Sequence, residues 1–205
     1  MITIHKFSAA ADLSYLGDPV RGRWAGTTAV AESLLGAVDA TGLRALFAAG
    51  HHPLTGAALG TPLGARPNVT AGYDVVLIVP EAAAVLWAAS SPADRAVIED
   101  THRRASDRAL GRLEGAAYTR TGINGIAYEK APGLMAAVYD HGPDTANGAG
   151  LHSHVLVSAR VRRGRSGWGA LDGQALADAA ESVGEGYLTD IVIGVRERLG
   201  VRIPT

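Results

Sequence analysis

Three histidines are spaced to act together: His141, and then His152 and His154 inside the run Leu151-His152-Ser153-His154-Val155-Leu156-Val157. That run is apolar and β-branched, which predicts a strand, and side chains two apart on a strand project from the same face. His141 closes a second predicted strand that runs from Gly133 to Asp140. The segment from Gly142 to Gly150 is rich in turn formers, so it predicts that the two strands lie side by side. Three neutral imidazoles on one side of a sheet make an open divalent-metal site, of a kind that binds zinc or nickel tightly. Positions left open on such an ion accept substrate oxygens or water, and the ion polarises a phosphate or a carbonyl. A ligating imidazole also needs an acceptor on its other nitrogen. Asp74, in the otherwise apolar run Tyr73 to Val79, is the candidate, since a buried carboxylate persists only when paired. The alternative puts Asp74 at the start of its strand, partly exposed and without a chemical role. Asp140 and Asp144 are rival carboxylates beside the histidines. The remaining candidate is Tyr15, whose oxygen could serve as a covalent nucleophile, although a tyrosine so placed is more often a core side chain.

The elements that must hold these residues follow from patterning. Thr3 to Phe7 predicts a short strand, followed by an alanine-rich stretch ending at Ser14-Tyr15-Leu16 and a break at Gly17-Asp18-Pro19. Thr27 or Thr28 is expected to cap a helix to Leu35, and Thr41 another that ends before Gly50. His51 to Gly72 reads as a long loop. Tyr73 to Val79 is a predicted strand and Glu81 to Ala89 a helix. Ser91-Pro92-Ala93-Asp94 has the serine cap, first-position proline and early acid of a helix start, with the helix running to about Leu113. Tyr118 to Arg120 and Ile126 to Glu129 predict a hairpin. Beyond the histidine strands, Gly164 to Gly167 predicts a turn and Trp168 to Leu171 a last short strand. Gln174 to Leu199 predicts a helix interrupted near Gly184 and Gly186. Strands joined by short turns, with long helices between others, predict an α+β fold: a central antiparallel β-sheet with flanking helices and the histidines on central strands. No linker divides the chain, so residues 1–205 are expected to form a single domain.

The 205 residues are 47% hydrophobic and include no cysteine, which excludes disulfides, thiolate metal sites and cysteine nucleophiles. The start lacks the charged and apolar regions of a signal peptide, and no stretch has transmembrane length. A soluble, cytoplasmic protein without membrane contact is the expectation. Net charge is −1, from 19 basic and 20 acidic residues, so any grip on a nucleic-acid backbone requires a local patch. Two candidates exist: Arg103, Arg104, Arg108 and Arg112 on one helix, and the cluster Arg160, Arg162, Arg163 and Arg165. Each could equally be a solvated helix face or a basic turn.

Several ordered segments resemble the N-terminal domain of MobF-class conjugative relaxases, members of the HUH endonuclease superfamily. Met1 to Lys6 with Ser14-Tyr15-Leu16 resembles the family's start, where its nucleophilic tyrosine lies. Gly22-Arg23-Trp24-Ala25-Gly26 resembles its G-x-W-x-G segment, and Gly72-Tyr73-Asp74 through Val85-Leu86-Trp87 matches its G-Y-D to L-W run in length and at both ends. The spacing from His141 to His152 and His154 is that of the family's metal triad. Trp168 to Asp172 and Leu199-Gly200-Val201 fit later segments. The resemblance implies a divalent ion, commonly Mg²⁺ or Mn²⁺, held by His141, His152 and His154. It implies Tyr15 as the nucleophile on a single-stranded DNA phosphate, leaving a 5′-phosphotyrosyl intermediate, with Asp74 orienting a histidine or helping to deprotonate the tyrosine.

The chain departs from the family where DNA is contacted. Glu81 stands where the family has lysine, and Val76, Ile78, Ala82 and Ala84 replace its hydroxyl residues. Ala159 replaces an asparagine, the second tyrosine cluster is missing between Tyr15 and Trp24, and the part that closes over DNA is expected to be absent. Three functions fit this mixture. One is a compact metal-dependent nickase or strand transferase. Another is the same fold acting on a small molecule, its pocket lined by Ile78, Val79 or Trp87. The last is an inactive DNA-binding remnant.

Overall fold

His152–Ser158 (β7) and Ala136–His141 (β6) are interior strands of a five-stranded sheet with the order β1-β3-β7-β6-β2. The other members are Ile2–Ser8 (β1), Arg23–Ala25 (β2) and Thr70–Ile78 (β3), and every pairing is antiparallel. The computed structural model describes residues 1–16, 22–63, 68–142, 150–164 and 167–204, with Tyr15 described by its backbone alone. Asp144 and Arg165 lie outside the described residues.

The two sheet faces are covered differently. Val75, Leu77, Val155, Val157 and Val138 point to one side and pack on two long helices, Pro92–Glu114 (α4) and Ala180–Leu199 (α6). The start of α4 forms as patterned: Ser91 Oγ accepts from the Asp94 amide at 3.2 Å and donates to its carboxylate at 2.8 Å, a reciprocal cap. Glu81–Ala89 (α3) precedes it and packs against α4. The other face carries Ala137, Tyr139 and Leu156, covered by Leu34, Val38, Leu46, Phe47 and Leu59 from short helices and loops.

Those short elements are less regular than patterning predicts. Thr27–Ala31 (α1) is capped by the Gly26 backbone, not by a threonine side chain, and stops four residues before Leu35. Ala40–Arg44 (α2) is capped by Asp39, which accepts from the Gly42 amide at 2.7 Å, rather than by Thr41. A π-helical turn, Ala45–Ala49, follows and ends at left-handed Gly50 (φ 71°). The strand β2, not predicted as a strand, adds the Gly22-to-Gly26 segment to the edge of β6.

Two ribbons stand apart from the main sheet: Tyr118–Thr121 (β4) with Ala127–Lys130 (β5), and Arg160–Arg163 (β8) with Gly167–Ala170 (β9). The C-terminal helix is broken at Ala179, between Gly173–Asp178 (α5) and α6, and runs without interruption through Gly184 and Gly186. Those glycines serve close packing. A Cβ on Gly184 would fall 2.5 Å from Ile2, and one on Gly186 2.8 Å from Arg112.

Candidate functional site

Antiparallel register decides which side chains meet. His141 pairs with His152, and Tyr139 pairs with His154, so these four project from one face, opposite to α4 and α6. The two strands are adjacent, as expected, while residues 143–149 between them lie outside the described residues. Ring centroids of the three histidines lie 5.0, 5.4 and 5.2 Å apart. Imidazoles that ligate one ion at about 2.1 Å place their centroids on the order of 5 Å apart, so the separation fits a shared ion. Orientation fits less well: the His141 and His152 rings are stacked at 10°. Among the described residues, no three His, Asp or Glu side chains are aimed to hold an ion as they stand.

Three further observations bear on whether these residues suit a metal. His141 Nε2 is buried and has no hydrogen-bond partner among the described residues. His152 Nδ1 lies 2.7 Å from the Gly150 carbonyl, which can only accept, so Nδ1 carries the proton and the lone pair is on Nε2. His154 Nδ1 lies 3.0 and 2.9 Å from the two Asp74 oxygens, which fixes the same tautomer there. Burial, followed by the neighbouring charges of His152 and His154, lowers the His141 pKa and keeps that imidazole in the neutral form a cation needs. The donor set thus suits a divalent ion in identity, tautomer and spacing, with ring rotation required to aim it.

Asp74 is 6% exposed in the middle of β3, which overturns the reading that put it at a partly exposed strand start. Asp140 projects to the opposite face, where it accepts from Ser153 Oγ at 2.5 Å and faces Arg23 at 3.6 Å. Tyr15 belongs to the short 3-10 turn Ser14–Leu16, at the edge of the histidine-bearing side, where Leu16 is buried among the residues covering that face.

The other face holds residues that the sequence reading missed. His102 is 1% exposed on α4, with Nδ1 2.8 Å from the Tyr187 hydroxyl and Nε2 2.8 Å from Ser153 Oγ. Since Ser153 donates to Asp140, it accepts from His102, and Tyr187 in turn donates to His102. Burial lowers the His102 pKa to about 4, against the opposing pull of the Asp140 charge, and this favours a neutral ring. The signal was present in the helical period: His102 shares a stripe with Ile98, Ala105 and Ala109, which faces the sheet.

Of the two arginine patches, the helical one is engaged in ion pairs. Arg103, Arg104 and Arg198 pair with Asp100, while Arg108 and Arg112 pair with Asp190. It is a solvated helix face on the side of the sheet away from the histidines. On the β8–β9 ribbon, Arg162 pairs with Glu32 and stacks over Trp168 at 4.4 Å. Val79 lies in the helix-backed core and Trp87 packs against it, whereas Ile78 pairs with His152. The residues considered for a small-molecule pocket therefore do not gather around the histidines.

The TrwC relaxase family model matches residues 5–205. The chain belongs to the TrwC relaxase family. No curated protein matches it. Among solved structures, the metal-bound structure of conjugative relaxase TrwC in complex with oriT DNA is similar at a TM-score of 0.83 and 20% identity, covering 100% of this chain and 72% of that one. The metal-free TrwC complex with oriT DNA has a TM-score of 0.82 at 22% identity, with the same coverage. TrwC with a 27-mer DNA comprising the recognition hairpin and the cleavage site reaches 0.81 at 21% identity, covering 100% of this chain and 71% of that one. These likenesses establish the relaxase fold, including the central antiparallel sheet expected from the strand pattern. Within this relaxase domain, Glu81 is an exposed residue in the first turn of α3, where the helix N-terminus favours an acid. No described helix is long and apolar enough to cross a membrane.

Proposed function

We propose that this relaxase domain nicks single-stranded DNA by transesterification, with Tyr15 as nucleophile and a divalent ion held by His141, His152 and His154. The observation that carries this reading is the gathering of three imidazoles on one face of the sheet, one braced by the buried Asp74 carboxylate, in a chain of the TrwC family. The metal-bound and DNA-bound character of the similar TrwC structures supports both cofactor and partner.

A bound divalent ion supplies charge that polarises the scissile phosphate; Mg²⁺ and Mn²⁺ suit phosphate oxygens, whereas Zn²⁺ and Ni²⁺ bind three imidazoles more tightly. The chain's own residues do the rest. Asp74 holds the His154 ring in one tautomer and orientation. The Tyr15 oxygen attacks phosphorus, forming the 5′-phosphotyrosyl ester as the P–O3′ bond breaks and the 3′ oxygen leaves as a hydroxyl. The phenolic proton goes to a base, for which the Asp74 carboxylate is the candidate, and the departing 3′ oxygen takes its proton from water. Reversal of the same step rejoins or transfers the strand.

Covalent capture on a pooled random single-stranded oligonucleotide library with Mn²⁺ tests this reading, with wild type beside Tyr15→Phe and His154→Ala. A denaturant-stable adduct that requires Mn²⁺ and is lost in both variants is the expected result. Absence of any adduct and of any DNA binding, in protein that still takes up Mn²⁺ stoichiometrically, overturns it. Metal-independent DNA binding without an adduct identifies a non-catalytic binding domain instead.

A further inference from the structure

His141 is the final residue of β6, His152 is the first of β7, and together they close the ladder between the two strands. The end of a ladder frays unless something beyond its backbone bonds holds it. The adjoining pair is Asp140 with Ser153, whose side chains project to the opposite face, toward α4. Ser153 is fully buried, and its Oγ donates to Asp140 at 2.5 Å while accepting from His102 Nε2 at 2.8 Å. His102 accepts in turn from the Tyr187 hydroxyl at 2.8 Å. One hydrogen-bonded line thus runs from α6 through α4 to β7 and β6. It meets each strand beside a histidine, since Ser153 separates His152 from His154 and Asp140 precedes His141.

The surrounding interface is built of apolar side chains. Apolar contacts tolerate small shifts, whereas buried hydrogen bonds accept one alignment, and a polar line in such a place serves specificity. Beside the end of the ladder the interface is also hollow. A cavity of about 380 Å³ is bordered there by Ala96, His102, Asp140, His141 and Leu151. Packing alone constrains that end little, and the polar line anchors it. We propose that Ser153, His102 and Tyr187 are positioning residues for the metal centre: from the far side of the sheet they hold β6 and β7 in the stagger that sets His141 opposite His152. This inference rests on the metal centre of the nickase reading above. Closing on an ion requires the stacked His141 and His152 rings to turn, and they turn onto a common point only if their backbones stay in place.

The test is titration of the full chain with Co²⁺, followed by its visible ligand-field absorption, beside thermal midpoints. The decisive variant is Ser153→Ala, which cuts the line where it meets the strands. Its Co²⁺ affinity is expected to fall about three- to ten-fold, with an altered absorption spectrum. His102→Leu is expected to do the same, and His102→Gln, which keeps a donor toward Ser153, to recover most of the loss. Val195→Ala leaves a void in the same apolar interface farther along α6. It is expected to lower the midpoint with affinity and spectrum unchanged. Should Ser153→Ala fail to fold, Tyr187→Phe, which removes one hydroxyl, decides on the same readouts. Wild-type affinity and spectrum in the decisive variant overturn the positioning role while the metal centre stands. A loss of affinity in Val195→Ala as large as in Ser153→Ala also overturns it, because general destabilisation then suffices. If wild type takes up no Co²⁺, the metal centre falls and the positioning role with it.

Discussion

The two faces of one sheet treat their polar side chains in opposite ways. On the helix-backed face, Tyr187, His102, Ser153 and Asp140 form a closed chain in which both ring nitrogens of the buried histidine are occupied. On the other face, His141 Nε2 and the Tyr139 hydroxyl are buried and find no hydrogen-bond partner among the described residues. Alternate residues of the same two strands supply both sets, for Ser153 lies between His152 and His154, and Asp140 between Tyr139 and His141. A satisfied polar network stabilises and orients, whereas unmet donors and acceptors cost stability unless a ligand completes them. On the nickase reading proposed above, the contrast divides the sheet into a supporting side and a reacting side, and substitutions on each should read out first in different measurements.

The largest expected effect is structural. His102→Leu leaves Ser153 and Tyr187 short of a partner beneath the sheet and should cost about 3–5 kcal/mol of stability by chemical denaturation. A loss below about 1 kcal/mol would mean that the chain of hydrogen bonds supports little. The second effect is pH. The folded-state pKa of His102, about 4, lies below the ordinary 6.5. The unfolded chain therefore takes up a proton first as pH falls through 6.5, and stability is lost progressively from there toward 4. Between pH 7 and pH 5 the loss should be about 2 kcal/mol, with His141, also lowered, adding in the same direction. Urea midpoints that do not move across that interval would sink the assignment of a neutral buried imidazole.

On the reacting side the effects move from stability to binding. Asp74→Asn keeps the shape but weakens the hold on His154, and should lower Mn²⁺ affinity about 10- to 100-fold in calorimetric titration. Unchanged Mn²⁺ affinity would separate Asp74 from the proposed metal centre. Smallest is the stability gain from Tyr139→Phe, about 1 kcal/mol at most, opposite in sign to the His102 effect. A loss of stability there would show that the hydroxyl contributes to the free protein and would erase the contrast between the faces.

Much of this organisation is legible in the residues themselves. The His-x-His alternation puts two imidazoles on one face by local geometry alone, and the pairing of β6 with β7 that sets His141 beside them was expected from the turn-forming composition between the strands. The start of α4 is equally local: a serine, a proline and an aspartate suffice. The short elements over the reacting face were harder. Asp39, not Thr41, caps α2, and Gly26 stands where a threonine cap was expected, since several neighbours offer similar local chemistry and packing chooses among them. Gly184 and Gly186 read as breaks but lie inside α6, where close contact with Ile2 and Arg112 outweighs their low helix propensity.

The sequence by itself determined the grouping of three histidines, the strands that carry them and the kinship to a relaxase, all encoded in residue identity and short-range spacing. Only the tertiary structure decided that Asp74 braces His154 while Asp140 turns away to the His102 chain. It also decided that Arg103 and Arg104 pair with Asp100 while Arg108 and Arg112 pair with Asp190, and that Phe7, Phe47 and Tyr139 line one cavity. Each of these depends on which distant strands pair, in which register and beneath which helix, and the long-range contacts that settle this leave no local pattern to read.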